Sequence, residues 1–172
     1  MKSSQLIAFA ILVTVLPTSA IAKKSEDVHL TDKAFIRNAV TKMEAAYAAG
    51  DADGYVLYTD PNFVNVDLSG KETTHGKEER HQNMIAMVSK ATNLGAKITG
   101  HSTVRSITFS SDGATVIEES YSTYSANING QARILKDHSV YRDFWVKSST
   151  GWLEKRSRTV SSKKTLNGQS LP

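Results

Sequence analysis

Gly50-Asp51-Ala52-Asp53-Gly54-Tyr55, followed by Phe63-Val64-Asn65-Val66-Asp67-Leu68-Ser69-Gly70, is the stretch on which the reading of this chain turns. Gly50 can enter the left-handed region that ends a helix. Asp51 is then placed to cap a short second helix carrying Val56 and Leu57, which must stop before Pro61. From Phe63 the pattern becomes an alternation. Phe63, Asn65 and Asp67 fall on one face of a strand, Val64 and Val66 on the other. Ser69-Gly70 supplies the turn that closes it.

Upstream, Ile36, Val40, Met43 and Tyr47 recur at helical spacing and mark the buried stripe of a first helix, with Thr31 as its N-cap and Asp32 in its first turn. Downstream, Gly76 precedes a helix over about 77–90 with Met84, Met87 and Val88 inward. After Gly95 the chain turns β-branched. Strands are predicted over 97–110, 114–127, 131–148 and 152–162, separated by Ser111-Asp112-Gly113, Asn129-Gly130 and Ser149-Thr150-Gly151. Helices first and a meander afterwards predict an α+β domain, with the helices on one face of a mainly antiparallel sheet.

The first 22 residues stand apart. Lys2, the apolar run Leu6 to Leu16 and the small residues of Ala20-Ile21-Ala22 read as a signal peptide cleaved after Ala22. The run is shorter than the ~20 residues of a bilayer span. The expectation is therefore an exported chain, periplasmic or secreted, with no membrane attachment once the segment is removed. Residues 23–30 read as a polar leader, 31–162 as one domain and 163–172 as a polar tail. Cleavage of 22 of the 172 residues leaves 150, enough for one domain with one core. With no cysteine in the chain, stability rests on packing rather than on disulfides. Only Lys2 among the 21 basic residues leaves with the signal segment, so 20 remain against 17 acidic ones. That balance is mild, and the basic residues are spread along strands. A nucleic-acid partner, which needs a concentrated basic face with stacking aromatics, is not expected.

The order of helix end, short helix, strand closing on an acid, glycine turn and helix resembles the opening of the NTF2-like superfamily, which includes SnoaL-like proteins and ketosteroid isomerase. The final Tyr141-Arg142-Asp143-Phe144-Trp145-Val146-Lys147 with Gly151-Trp152 is similar to the last hairpin of that family. The resemblance covers about 130 residues. It implies an NTF2-like (cystatin-like) cone: three N-terminal helices packed on a strongly curved sheet around a small-molecule pocket. It also implies a pocket for a small apolar or carbonyl-containing molecule, chemistry with no cofactor, and a homodimer.

Asp67 occupies the place of the family's proton-shuttling base. Read from the residues alone, it is a turn cap, since aspartate often bonds backbone N–H groups two residues on; the resemblance sets the base beside that reading. Asp143 matches a carboxylic acid that ketosteroid isomerase keeps protonated in an apolar site to donate to an oxyanion. Its alternative is a salt bridge to Arg133, Arg156 or Arg158. Asp67, Asp143 and Tyr141 are thus the catalytic candidates, and Met43, Tyr47, Tyr58, Phe63, Asn65 and Trp145 the ligand-binding ones. One departure stands out. The family's catalytic tyrosine falls at Met43, which cannot donate a hydrogen bond.

The five histidines show no metal-site spacing. His81 either contacts Asp67 or lies on the surface. Glu118 and Glu119 must face opposite ways, and one of them is expected to enter the pocket opposite Asp143. Two functions stay open: an isomerase, dehydratase or cyclase using an aspartate base, or a non-catalytic ligand-binding or assembly domain.

Overall fold

The computed structural model describes residues 19–171, with side chains from residue 29 onward. The expected signal segment lies outside the described residues as far as residue 18. Helix α1 (Ser19–Ala49) extends well before the expected cap Thr31. No proline or glycine interrupts residues 19–30, so nothing in the backbone halts the helix there. Gly50 ends it at a φ of 73°. Asp51 then caps α2 (Ala52–Tyr55), its Oδ1 accepting from the Gly54 N–H at 3.0 Å.

β1 (Thr59–Val66) and β2 (Glu72–His75) form a small antiparallel pair, and α3 (Gly76–Asn93) follows directly. Four long strands complete the fold: β3 (Lys97–Phe109), β4 (Ala114–Ile128), β5 (Gln131–Ser148) and β6 (Gly151–Leu166). Their bounds lie close to those expected from the turn signals. The sheet order is β2-β1-β6-β5-β4-β3, antiparallel except where β1 joins β6. This is an α+β fold, with a curved, open, mostly antiparallel sheet and its helices packed together.

The C-terminus differs from expectation. β6 continues to Leu166, and Asn167-Gly168, both at positive φ, turn the chain into β7 (Gln169–Ser170). Asn-Gly is a strong hairpin signal. Here Asn167 also exchanges two 2.8 Å bonds with the Ile134 backbone, which fixes this corner to β5.

The core fills one end of the sheet. Ile36, Val40 and Met43 of α1 are buried against Val104, Val116, Trp145 and Trp152. Full burial of side chains of this size is worth about 1.5–3 kcal/mol each. Asp32 anchors the helix to the β5–β6 hairpin. Its Oδ1 accepts from Trp152 Nε1 at 2.8 Å and from Lys147 Nζ at 3.0 Å. Toward the other end of β4 and β5 the inward positions change from Val116 and Trp145 to polar residues, and a cavity opens there.

Candidate active site

The inward face of β4 presents Glu118, Ser120, Ser122 and Tyr124, and that of β5 Asp137, Ser139, Tyr141 and Asp143. In β6 the pairing register shifts between its partners Phe144 and Trp145, setting Lys155 out of step. As a result Glu154 and Ser157, three apart, both face inward. α1 contributes Val40, Met43, Glu44 and Tyr47, at the i, i+3, i+4 and i+7 spacing of one helical face. α3 contributes Arg80, Met84 and Met87 in the same way. Together these residues line a cavity of about 350 Å³.

Arg80 is the one cation among the lining residues. Its Nη1 donates to Glu154 Oε2 at 2.5 Å and to Thr59 Oγ1 at 3.1 Å, and its Nη2 to the Tyr55 hydroxyl at 3.2 Å. The guanidinium also lies over the rings of Phe63 and Tyr55, at 4.3 and 4.6 Å from their centroids. Burial works against its charge, but Glu154 and Tyr55 outweigh it and raise its pKa further. Arg80 is therefore committed to Glu154.

Asp143 is 2% exposed, and its Oδ1 has no hydrogen-bond partner among the described residues. Burial, reinforced by Glu154 and Glu118, pushes its pKa well above the ordinary carboxylate range. Ser157 and Arg80 offset this only in part. Glu118 stands one diagonal step away, since β4 residue Val116 pairs with Asp143 and Glu118 with Tyr141. Burial, with the charges of Glu154 and Glu44, pushes Glu118 up to about 7. Glu44 is raised as well, by burial; Ser102 Oγ donates to its Oε2 at 3.0 Å, while its Oε1 has no partner among the described residues.

Glu119 shows how far the face decides the chemistry. It points outward, where Tyr121, Arg105 and His138 all bond its carboxylate and bring its pKa down to about 2. Adjacent glutamates are thus shifted in opposite directions.

Of the expected catalytic residues, Asp143 and Tyr141 line the cavity together. None of Arg133, Arg156 or Arg158 pairs with Asp143; Arg156 bonds Glu72 instead. Asp67 is elsewhere. Its Oδ1 accepts from Ser69 Oγ at 2.6 Å, Ser69 N at 2.9 Å and Lys71 N at 3.0 Å, and the Ser69 hydroxyl leads in holding its carboxyl below the usual range. It caps the turn and does not line the cavity. The cause is that β1 ends at Val66 and the chain turns at once, with Asp67 N–H donating to the Lys71 carbonyl and Gly70 N–H to that of Asp67. Phe63 and Asn65 face the cavity, Val66 is also buried, and Asp67 leaves the inward face.

Met43, Tyr47, Phe63, Asn65 and Trp145 line the cavity as expected of ligand-binding residues, but Tyr58 does not. The end of α2 at Tyr55 sends Tyr58 to the core side, where its ring meets Phe35 edge-on at 5.9 Å, and Tyr55 takes the cavity position. His81 bonds Asp53 at 3.0 Å and not Asp67. Glu44, Tyr55, Arg80, Tyr124 and Glu154 were not anticipated as site residues.

No protein-family model matches the chain, and neither does the sequence of any curated protein. Solved structures do. An NTF2-like protein with a cystatin-like fold from Novosphingobium aromaticivorans is 14% identical with a TM-score of 0.54, covering 83% of this chain and 88% of its own. The hexachlorocyclohexane dehydrochlorinase LinA-type3 from Novosphingobium barchaimii is 13% identical with a TM-score of 0.62, covering 84% and 91%. A ketosteroid isomerase-like protein from Erwinia carotovora atroseptica is 17% identical with a TM-score of 0.51, covering 74% and 95%. The fold is the NTF2-like, cystatin-like cone. At these identities the likeness speaks for architecture, and the chemistry has to be argued from this cavity.

Proposed function

We propose that this chain catalyses acid–base chemistry on a small carbonyl compound held in the cavity, with Glu118 as base and Asp143 as the protonated donor. One observation carries the reading: two carboxyls raised by burial stand diagonal to each other on the inward face of adjacent strands, in a cavity large enough for a small molecule. Glu118 takes the proton from the carbon beside the carbonyl. The C–H electron pair moves into the enolate, and the oxygen receives the Asp143 hydrogen bond. Return of the proton to another carbon gives isomerisation, and loss of a leaving group from the neighbouring carbon gives elimination. The isomerase-like and dehydrochlorinase neighbours are compatible with either outcome. Residues 1–22 support export of the chain.

A second reading, a non-catalytic binding domain, draws on the tyrosines. Met43 stands where the family's donor tyrosine would be, the Tyr47 and Tyr124 hydroxyls bond each other, and that of Tyr55 accepts from Arg80. One experiment separates the two. Exchange of the α-protons of cyclic ketones with D2O is followed by NMR with the wild-type protein, Glu118→Gln and Asp143→Asn. Catalysis predicts exchange above the buffer rate that falls by about a hundredfold or more in either variant. Exchange at the buffer rate, or unchanged in both variants, refutes it.

A further inference from the structure

The inward face of the sheet changes character along its strands. At the core end β3, β4 and β5 present Val104, Val116 and Trp145. At the cavity end the same strands present serine. Ser102 of β3 pairs with Ser120 of β4, Ser120 with Ser139 of β5, and Ser139 with Ser162 of β6, so one row of serines crosses four strands. Its two central members line the cavity, and Ser157 and Thr159 of β6 join them there. Serine is a poor choice for an inward strand position, where it neither fills space nor is often found buried.

Room alone does not explain the row, because alanine would leave the same room with no hydroxyl to satisfy. Both ends of the row are engaged: Ser102 donates to Glu44 at 3.0 Å and Ser162 to Asp137 at 3.2 Å, and Ser139 also donates to Asp137, at 2.7 Å. Ser120 differs. It is 9% exposed and its hydroxyl makes no hydrogen bond among the described residues, yet it is not sealed in as Glu44 Oε1 and Asp143 Oδ1 are, and it opens on the cavity. A hydroxyl both donates and accepts, so a second hydroxyl complements it in either sense. The helices across the cavity add Met43, Met84 and Met87, apolar surface for C–H groups. Negative charge is unwelcome: carboxyls line the cavity and its one cation is committed to Glu154.

We infer that the substrate is an uncharged polyhydroxylated carbonyl compound, a small sugar-like ketone or aldehyde, whose hydroxyls bond the serine row at Ser120 while its carbonyl end lies between Glu118 and Asp143. The inference rests on the acid–base reading for the carbonyl end. The hydroxyl end stands on the serine row alone. Ser120 selects and orients the substrate in this scheme and takes no part in proton transfer.

The test compares racemic erythrulose with butanone, ketones of the same carbon skeleton that differ in their hydroxyls, at pH 7. Binding is read by calorimetry and turnover by α-proton exchange, each ketone against its own buffer rate because hydroxyls acidify neighbouring C–H groups. Erythrulose is expected to bind at least about tenfold more tightly, as one or two net hydrogen bonds allow. Ser120→Ala should cut that preference by about three- to tenfold, the loss appearing in Kd and KM for erythrulose. Ser120→Cys, which keeps the shape of the side chain but is a weak donor, should do the same. Equal binding of the two ketones, or a preference intact in both variants, overturns the hydroxyl inference, and exchange above the buffer rate then leaves the acid–base reading standing. Preferential binding of erythrulose without exchange upholds the hydroxyl inference and sinks the catalysis. Binding of neither ketone overturns both.

Discussion

Replacing Arg80 with methionine tests the electrostatic layout of the cavity most searchingly. Methionine retains the apolar stem over Phe63 and Tyr55 but removes the guanidinium that donates to Glu154, Thr59 and Tyr55. Glu154 is 4% exposed, so it would be left as a buried carboxylate without a counter-ion, with Asp143 and Glu118 close by. Breaking a buried pair from one side costs about 3–5 kcal/mol, most of it the penalty of the abandoned charge. Arg80→Met should therefore lose that much. The double variant Arg80→Met/Glu154→Gln, which leaves no orphaned charge, should recover about 2–3 kcal/mol of it. Urea unfolding of the four proteins of this cycle at pH 7.5 gives the coupling directly. A cost below about 1 kcal/mol for Arg80→Met, or additive losses in the double variant, would refute the claim that Arg80 neutralises a buried acid at this site.

Three further outcomes are expected. Glu118 has a folded-state pKa raised from 4.5 to about 7, so its contribution to stability is complete below about pH 4.5 and is lost as pH climbs through 7. Glu118→Gln should gain up to about 3 kcal/mol over wild type at pH 8 and nothing at pH 4, less where cavity water screens the charge; a pH-independent difference between the two unfolding curves contradicts this. Asp67→Asn should leave exchange rates and ketone affinity at wild-type levels, because that side chain serves the turn; loss of either would return Asp67 to the site. Asp32→Ala should cost about 1–3 kcal/mol by stranding the buried Trp152 Nε1, visible as a lower urea midpoint with the cavity's affinities intact.

The long strands were legible because their punctuation is chemical. Asn129-Gly130 and the Gly113 and Gly151 turns set hairpins whose register then follows from alternation. That alternation placed Asp143 and Tyr141 on one inward face, and it required Glu118 and Glu119 to part. It failed at Asp67, which lies one residue past the end of β1 in the turn it caps, where strand alternation no longer sets the direction of a side chain. Glu154 was hidden by the register shift in β6 that sets Lys155 out of step.

Arg80 and Glu44 could have been found. Arg80 lies one turn before Met84 on the stripe assigned to the interior, and Glu44 lies one turn after Val40. A charged residue on an apolar stripe reads as a solvated flank until its partners are known, and those partners, Glu154 and Ser102, stand 74 and 58 residues away. Burial of charge in this cavity is a long-range property of the fold, which local pattern does not encode.

The most direct measurement is the carboxyl 13C titration of Asp143 in aspartate-labelled protein, assigned by the signal missing from Asp143→Asn. Its resonance should keep the protonated position well above the pH at which the other aspartates ionise, as a buried donor beside Glu118 and Glu154 requires. Ionisation in step with the exposed aspartates, near the ordinary value of 3.8, would contradict the account.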